Sequence, residues 1–161
     1  MSHAIRVSAR AIVLHEGQVL LNCFGGGLYY NFPGGGIEAN ETAPEAAVRE
    51  VFEESGLRVA VERHLFTFEY EPTRCGNFSG SLHGLSLFFQ CRLTGSPKID
   101  EPTVPDHSPD DPSIQSRAQW VPVAALPRTP FVPETMLGPL LNYIETGVFE
   151  PSYFAHFNEG V

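Results

Sequence analysis

The chain has 161 residues, 42% hydrophobic and 18% charged, which is the make-up of an ordinary globular protein and favours one domain spanning 1–161 with a sizeable core. Nineteen acidic side chains against ten basic ones give a net charge of −9, which argues against a nucleic-acid backbone as partner, since that binding needs a Lys/Arg surface. No apolar run approaches the roughly 20 residues that span a bilayer, and residues 1–6 lack a signal-peptide layout, so a cytoplasmic location without membrane contact is expected. A small anionic substrate stays open, because a bound divalent metal reverses the local field. The three cysteines form no Cys-x-x-Cys pair and the six histidines no ligand spacing, so free thiols and no histidine-bound metal are expected.

Residues 5–14 alternate and then turn apolar, the pattern of a strand that becomes buried. His15-Glu16-Gly17-Gln18 supplies a tight turn, and residues 19–24 return as the second arm of a hairpin. Three glycines follow as a loop, then a short aromatic strand, residues 28–32, stopped by Pro33. Arg6 and Arg10 share one side of the first strand, and Arg10 is a candidate phosphate ligand or else a surface cation. Tyr29, Tyr30 and Phe32 precede the glycine run Gly34-Gly35-Gly36, where stacking on a base competes with core packing, the latter favoured for Phe32.

Thr42-Ala43-Pro44-Glu45 is a helix start: Thr42 caps, Glu45 completes a capping box and proline is tolerated in the first turn. Gly56 suits the left-handed position that ends the helix. Ala47, Val48, Val51 and Phe52 form its expected apolar stripe, with Glu50, Glu53 and Glu54 mainly to the other side. These glutamates are spaced i, i+3, i+4 and lie along one turn, where like charges destabilise a helix by a few tenths of a kcal/mol per pair. A helix that accepts this beside a glycine-rich turn is expected to hold a cation with the carboxylates. Three hard oxygen donors suit Mg²⁺ or Mn²⁺ rather than zinc. The strand–loop–helix between Pro33 and Thr42 also offers backbone N–H groups, those of Gly34 and Gly36 among them, as phosphate donors.

Residues 57–61 and 65–71 read as strands, residues 74–81 as a loop and residues 83–93 as a further strand. Residues 96–113 carry five prolines and five acidic residues; no regular element survives that density, and the segment is either a mobile linker or a lid that contacts substrate. Residues 119–123 read as one more strand and residues 134–146 as a helix that Gly138-Pro139 would kink.

Gly35, Glu41, Arg49-Glu50-Val51, Glu53-Glu54 and Gly56-Leu57 together match G-x5-E-x7-R-E-U-x-E-E-x-G-U at every fixed position, U being bulky and aliphatic. This segment resembles the Nudix box, and Pro33-Gly34-Gly35-Gly36-Ile37-Glu38 is similar to the family's run into it. The resemblance implies an α/β Nudix fold, a mixed β-sheet sandwiched between helices. It also implies Mg²⁺- or Mn²⁺-dependent hydrolysis of a nucleoside diphosphate linked to another moiety. Carried over, Glu50, Glu53 and Glu54 are metal-site carboxylates, Arg49 orients one of them, Gly35 or Gly36 adds a backbone carbonyl, and Glu41 braces the loop. Glu50 is the first candidate for general base. Some family members place the base on a downstream loop, where Asp100, Glu101, Asp106, Asp110 and Asp111 are available here. A nucleotide-sensing Nudix domain or an isopentenyl-diphosphate isomerase would depart from the box, which is intact. The box addresses the diphosphate, so the identity of the nucleotide is left open, as is a homodimer.

Overall fold

In a computed structural model, which describes residues 4–75, 82–104, 106–108 and 111–156, eight strands form one mixed sheet. In chain order they are β1 (Ile5–His15), β2 (Gln18–Phe24), β3 (Tyr29–Asn31), β4 (Gly34–Gly36), β5 (Val59–Tyr70), β6 (His83–Leu93), β7 (Ser116–Pro122) and β8 (Tyr153–His156). Helix α1 (Ala43–Ser55) follows β4, a single turn α2 (Pro72–Cys75) follows β5, and α3 (Leu137–Thr146) precedes β8. Phe78, Pro105, Pro109, Asp110 and most of the expected 74–81 loop lie outside the described residues.

Glu16 and Gly17 both take positive φ (46° and 73°), the two-residue turn whose twist matches a hairpin. The hairpin stays paired only from Leu14 and His15 to Val19 and Gln18. Beyond that β1 pairs with β6 in parallel and with β4 in antiparallel, while β2 pairs with β3 and β7. The sheet therefore splays between β1 and β2, and β4 crosses the opening with its glycines against Ser8–Arg10.

Each face of the sheet buries its own apolar cluster. Ala9, Ala11, Val13 and Leu20 pack with Ala46, Ala47 and Val51 of α1, and alanines on both sides let the helix lie close. Ile12, Leu21, Phe32, Phe66 and Phe88 pack with Leu126, Met136 and Leu140 on the α3 side. Core packing is thus the fate of Phe32, whose ring meets Phe88 and Phe131 edge-on.

The expected capping box forms: Thr42 Oγ1 accepts from the Glu45 N–H and Glu45 Oε2 accepts from the Thr42 N–H at 2.7 Å. Gly56 (φ 71°) ends the helix, donating to the Phe52 carbonyl. The apolar stripe differs from the one expected. Phe52 is 39% exposed beneath the Arg58 guanidinium, whereas Glu54 is only 5% exposed and joins Ala47 and Val51 on the buried side.

The two strands expected between 57 and 71 are one strand, β5, whose register shifts near Glu62 and Leu65 let its polar middle face outward. The 134–146 helix begins as a 3₁₀ turn (Glu134–Met136), and Pro139 falls in the first turn of α3, where its missing N–H has no partner to lose.

Along 97–104 the proline-rich segment is fastened to the body. The Asp100 N–H donates to the Ser55 carbonyl (2.9 Å), the Thr103 N–H to the Glu53 carbonyl (2.7 Å), and Trp120 Nε1 to the Pro97 carbonyl (2.8 Å). It is a strap. The last carbonyls of a helix lack intrahelical donors, and this stretch supplies them.

Candidate active site

The splay between β1 and β2 brings α1, β4 and the end of the strap together. Gly34 and Gly35 make this approach feasible. A methyl group on Gly35 would sit 2.4 Å from Glu50 Oε1, and one on Gly34 (φ 144°) would sit 2.3 Å from the Ala9 carbonyl oxygen. The Gly34 N–H donates to Glu54 Oε2 at 3.1 Å.

Arg49 gathers the remaining carboxylates. Its Nε and Nη2 hold both oxygens of Glu41 (3.0 and 2.7 Å), its Nη1 donates to Glu50 Oε1 (2.9 Å) and Glu53 Oε2 (3.0 Å), and Nη2 also donates to the Gly36 carbonyl (3.1 Å). The guanidinium fork makes such multiple engagement feasible where an ammonium would not. Hydrogen bonds from Arg49, and from the Glu38 N–H, hold Glu41 down to about 2. Hydrogen bonds to Glu41 and Glu50 in turn push Arg49 upward, so it stays charged.

Burial acts in the opposite direction on Glu54 and Glu50. It pushes Glu54 up to about 8, helped by the Asp106 and Glu50 charges and opposed by the Asn22 amide and Arg10. It also raises Glu50, against the pull of Arg49. Arg10 is half-buried rather than a surface cation; its Nη1 donates to the Phe32 carbonyl at 2.7 Å, and burial lowers its pKa against the attraction of Glu54 and Asp106.

A family model described as "NUDIX domain" matches residues 4–137. The chain belongs to the Nudix family.

Solved structures agree on the fold. A Nudix hydrolase from Nitrosomonas europaea matches with TM-score 0.66 at 18% identity, over 91% of this chain and 93% of that one. A UDP-X diphosphatase matches with TM-score 0.65 at 19% identity, over 95% of this chain and 68% of that one. An ADP-ribose pyrophosphatase from Streptococcus suis matches with TM-score 0.59 at 18% identity, over 95% and 98%. By family membership the chain is a Nudix hydrolase, an enzyme acting on phosphorus-containing acid anhydrides. Nudix hydrolases generally use divalent metals.

The donor set fits such an ion chemically: Glu50, Glu53 and Glu54 offer only oxygen, and with no side chain at Gly35 the Glu50 carboxylate lies close against β4. Among the described residues, however, no three acidic, His or Cys side chains converge on one point, because Arg49 draws Glu50 and Glu53 to itself. It bonds one oxygen of each and leaves the other. The Gly36 carbonyl is engaged by Arg49, and Gly35 is paired with Ala9 in the sheet.

Several expected substrate contacts are differently employed in this Nudix chain. The Gly34 N–H is taken by Glu54, the Thr42 N–H by Glu45 and the Glu38 N–H by Glu41, so the loop's donors serve its own carboxylates rather than a phosphate. Gly36 is paired with Ser8 in the sheet. Tyr30 packs on the α3-side cluster with its hydroxyl on Cys23 and Gln119, away from the carboxylates. His83 is bound to Glu69 at 2.6 Å.

Asp106 is the one described carboxylate of the downstream loop whose charge reaches Glu50 and Glu54. Ser116 Oγ fixes it at 3.0 Å, while Glu101 pairs with Arg117, Asp111 with Ser113, and Asp100 packs near Gly56. Asn22, a partner of Glu54, is a site neighbour absent from the residues expected there. Its signal was a polar amide inside the apolar run of β2.

The two glycines differ in what surrounds them. Gly34→Ala collides with backbone at positive φ, and thermal melts should show a loss of about 2 kcal/mol or more. Gly35→Ala meets only a side-chain carboxylate; it should melt within about 1 kcal/mol of wild type while turnover falls at least about ten-fold, by displacing Glu50.

Proposed function

We propose that the chain is a nucleotide pyrophosphohydrolase, cleaving the diphosphate of a nucleoside diphosphate joined to another moiety, with Mg²⁺ or Mn²⁺. The observation that carries this is the joint placement of Glu50 and Glu54 against the Gly34–Gly35 backbone, with Arg49 clamping Glu41, Glu50 and Glu53. Two of the structural neighbours act on diphosphates, as their names state: a UDP-X diphosphatase and an ADP-ribose pyrophosphatase.

Water attacking a diphosphate meets a phosphorus that already carries negative charge. A bound divalent ion neutralises that charge and lowers the pKa of water bound to it. Glu50, Glu53 and Glu54 would hold the ion, on a helix stiff enough to keep their spacing. Arg49 orients Glu50 through Oε1 and leaves Oε2 to accept the proton of the attacking water. Burial raises Glu50, which makes it a better proton acceptor than an exposed carboxylate. Arg10, anchored on Phe32, offsets part of the negative charge behind Glu54.

The test is a panel of ADP-ribose, nucleotide sugars, dinucleoside polyphosphates and nucleoside triphosphates with Mg²⁺ and Mn²⁺, products identified by mass. Metal-dependent release of a nucleoside monophosphate from a diphosphate-linked member is expected. Binding without product across the panel would overturn the reading in favour of a sensor.

A further inference from the structure

Strand β1 carries a polar stripe on the side that faces α3. Ile12 packs into the α3-side cluster, and by the alternation of a strand Arg10, Ser8 and Arg6 project to that same side. The stripe continues onto β6, where Arg6 pairs with Gly84 and Ser8 with Ser86. Ser8 Oγ and Ser86 Oγ share a hydrogen bond of 2.7 Å, and Ser8 is only 5% exposed. A Cβ on Gly84 would meet nothing within 4 Å, so the sheet is open there, beside Tyr70 of β5. Arg6 is exposed and leans toward β4: its Nη2 lies 4.0 Å from where Gly36 would carry a Cβ.

The stripe is rich in donors and short of acceptors. Two hydroxyls bonded to each other spend one proton and keep the second, which finds no acceptor among the described residues. Arg10 gives one N–H to the Phe32 carbonyl and feels the charges of Glu54 and Asp106. Arg6 has no such company: among the described residues no carboxylate or carbonyl meets its guanidinium, and its interaction with Arg10 is repulsive. Two guanidiniums on one side of a strand, with a spare hydroxyl proton between them, are an arrangement that an anion relieves. The location suits the substrate. The missing side chain of Gly35 points at Glu50 and that of Gly36 at Arg6, so Glu50 and Arg6 flank one strand from its two faces. That strand, β4, consists of three glycines, with no side chain to block a ligand lying across it.

We infer that Arg6 and the Ser8–Ser86 hydroxyl pair form an anion subsite of the same active site, for a phosphate of the substrate other than the two joined by the bridge that is cut. The planar fork of Arg6 suits two phosphate oxygens and the spare hydroxyl proton a third. The preferred substrate is then a nucleotide with a third phosphate, in its phosphate chain or on its ribose, ahead of ADP-ribose and nucleotide sugars. This rests on the proposed function insofar as the substrate is taken as a nucleotide diphosphate held by the carboxylates.

Arg6 is exposed, so Arg6→Ala and Arg6→Lys leave the fold intact. Steady-state kinetics compares a nucleoside triphosphate, a dinucleoside polyphosphate and an ADP-ribose phosphorylated on a ribose hydroxyl with plain ADP-ribose. In Arg6→Ala, KM should rise at least about ten-fold on the members with a third phosphate, while kcat stays within about two-fold. On plain ADP-ribose KM should move less than about two-fold, and Arg6→Lys should recover part of the loss through charge alone. The three-phosphate members that respond tell whether the group sits in the chain or on the ribose. An equal KM shift on every member, or on none, would overturn the subsite and leave the hydrolase reading standing. Inorganic phosphate titrated in a chelator, followed by its phosphorus NMR linewidth, needs no turnover: wild type should broaden the signal and Arg6→Ala should not. If no panel member is cleaved, the hydrolase reading falls and this titration alone decides. Broadening lost in Arg6→Ala then upholds the subsite; equal broadening in both, or none in wild type, overturns it as well.

Discussion

Glu53→Gln and Glu54→Gln should each lower metal-dependent turnover by at least about two orders of magnitude, the usual scale for removing a group that stabilises charge in the transition state. Gln keeps the shape of Glu and removes only the charge, so the loss is electrostatic rather than steric. Glu53 is the cleaner case. Its side chain is partly exposed and, among the described residues, bonded only to Arg49, which retains Glu41 and Glu50 as partners, so the fold has little to lose. Steady-state kinetics over a Mg²⁺ titration checks both. Near-wild-type turnover in both variants would remove the assignment of these carboxylates.

The second large effect has the opposite sign. Metal-free Glu54→Gln should be more stable than wild type at pH 8. Burial holds Glu54 at about 8 in the folded chain, against an ordinary value of 4.5. A group whose pKa is raised by folding contributes fully below its unfolded pKa, and that contribution is lost as pH rises through the folded one. Below pH 4.5 both states carry a protonated Glu54. Between 4.5 and 8 the unfolded chain ionises freely while the folded chain does not, and stability falls at about 1.4 kcal/mol per pH unit. Gln is neutral throughout, and its oxygen still accepts from Gly34. Melting curves in a chelator from pH 5 to 8 should show the two proteins diverging, with Glu54→Gln ahead by about 5 °C or more at pH 8. Parallel curves, or a Glu54→Gln that melts lower at pH 8, would refute it. Together the two variants show one charge costing stability in the place where the proposed chemistry needs it.

Helix α1 was legible because its signals are local. Thr42, Glu45 and Gly56 fix both ends within the segment itself, and the box spacing fixes the carboxylates. The burial of Glu54 was also within reach. It lies seven residues after Ala47 and three after Val51, so it continues their buried stripe, whereas Phe52 is rotated off it. Treating the three glutamates as alike hid that. Strand β4 was not legible, since three glycines carry no alternation and only pairing with β1 makes them a strand. The proline density correctly excluded helix and strand from 97–104, but it cannot say where the N–H groups of such a segment go. Their partners are carbonyls at the end of α1, about fifty residues earlier in the chain and invisible to a local window.

That mooring constrains how the molecule can diversify. Between Pro97 and Val104 the backbone is fastened to Ser55, Glu53 and Trp120, so an inserted or deleted residue there would tear at the last turn of α1. Length changes in this segment must therefore enter after Val104, upstream of the anchor that Ser116 gives Asp106.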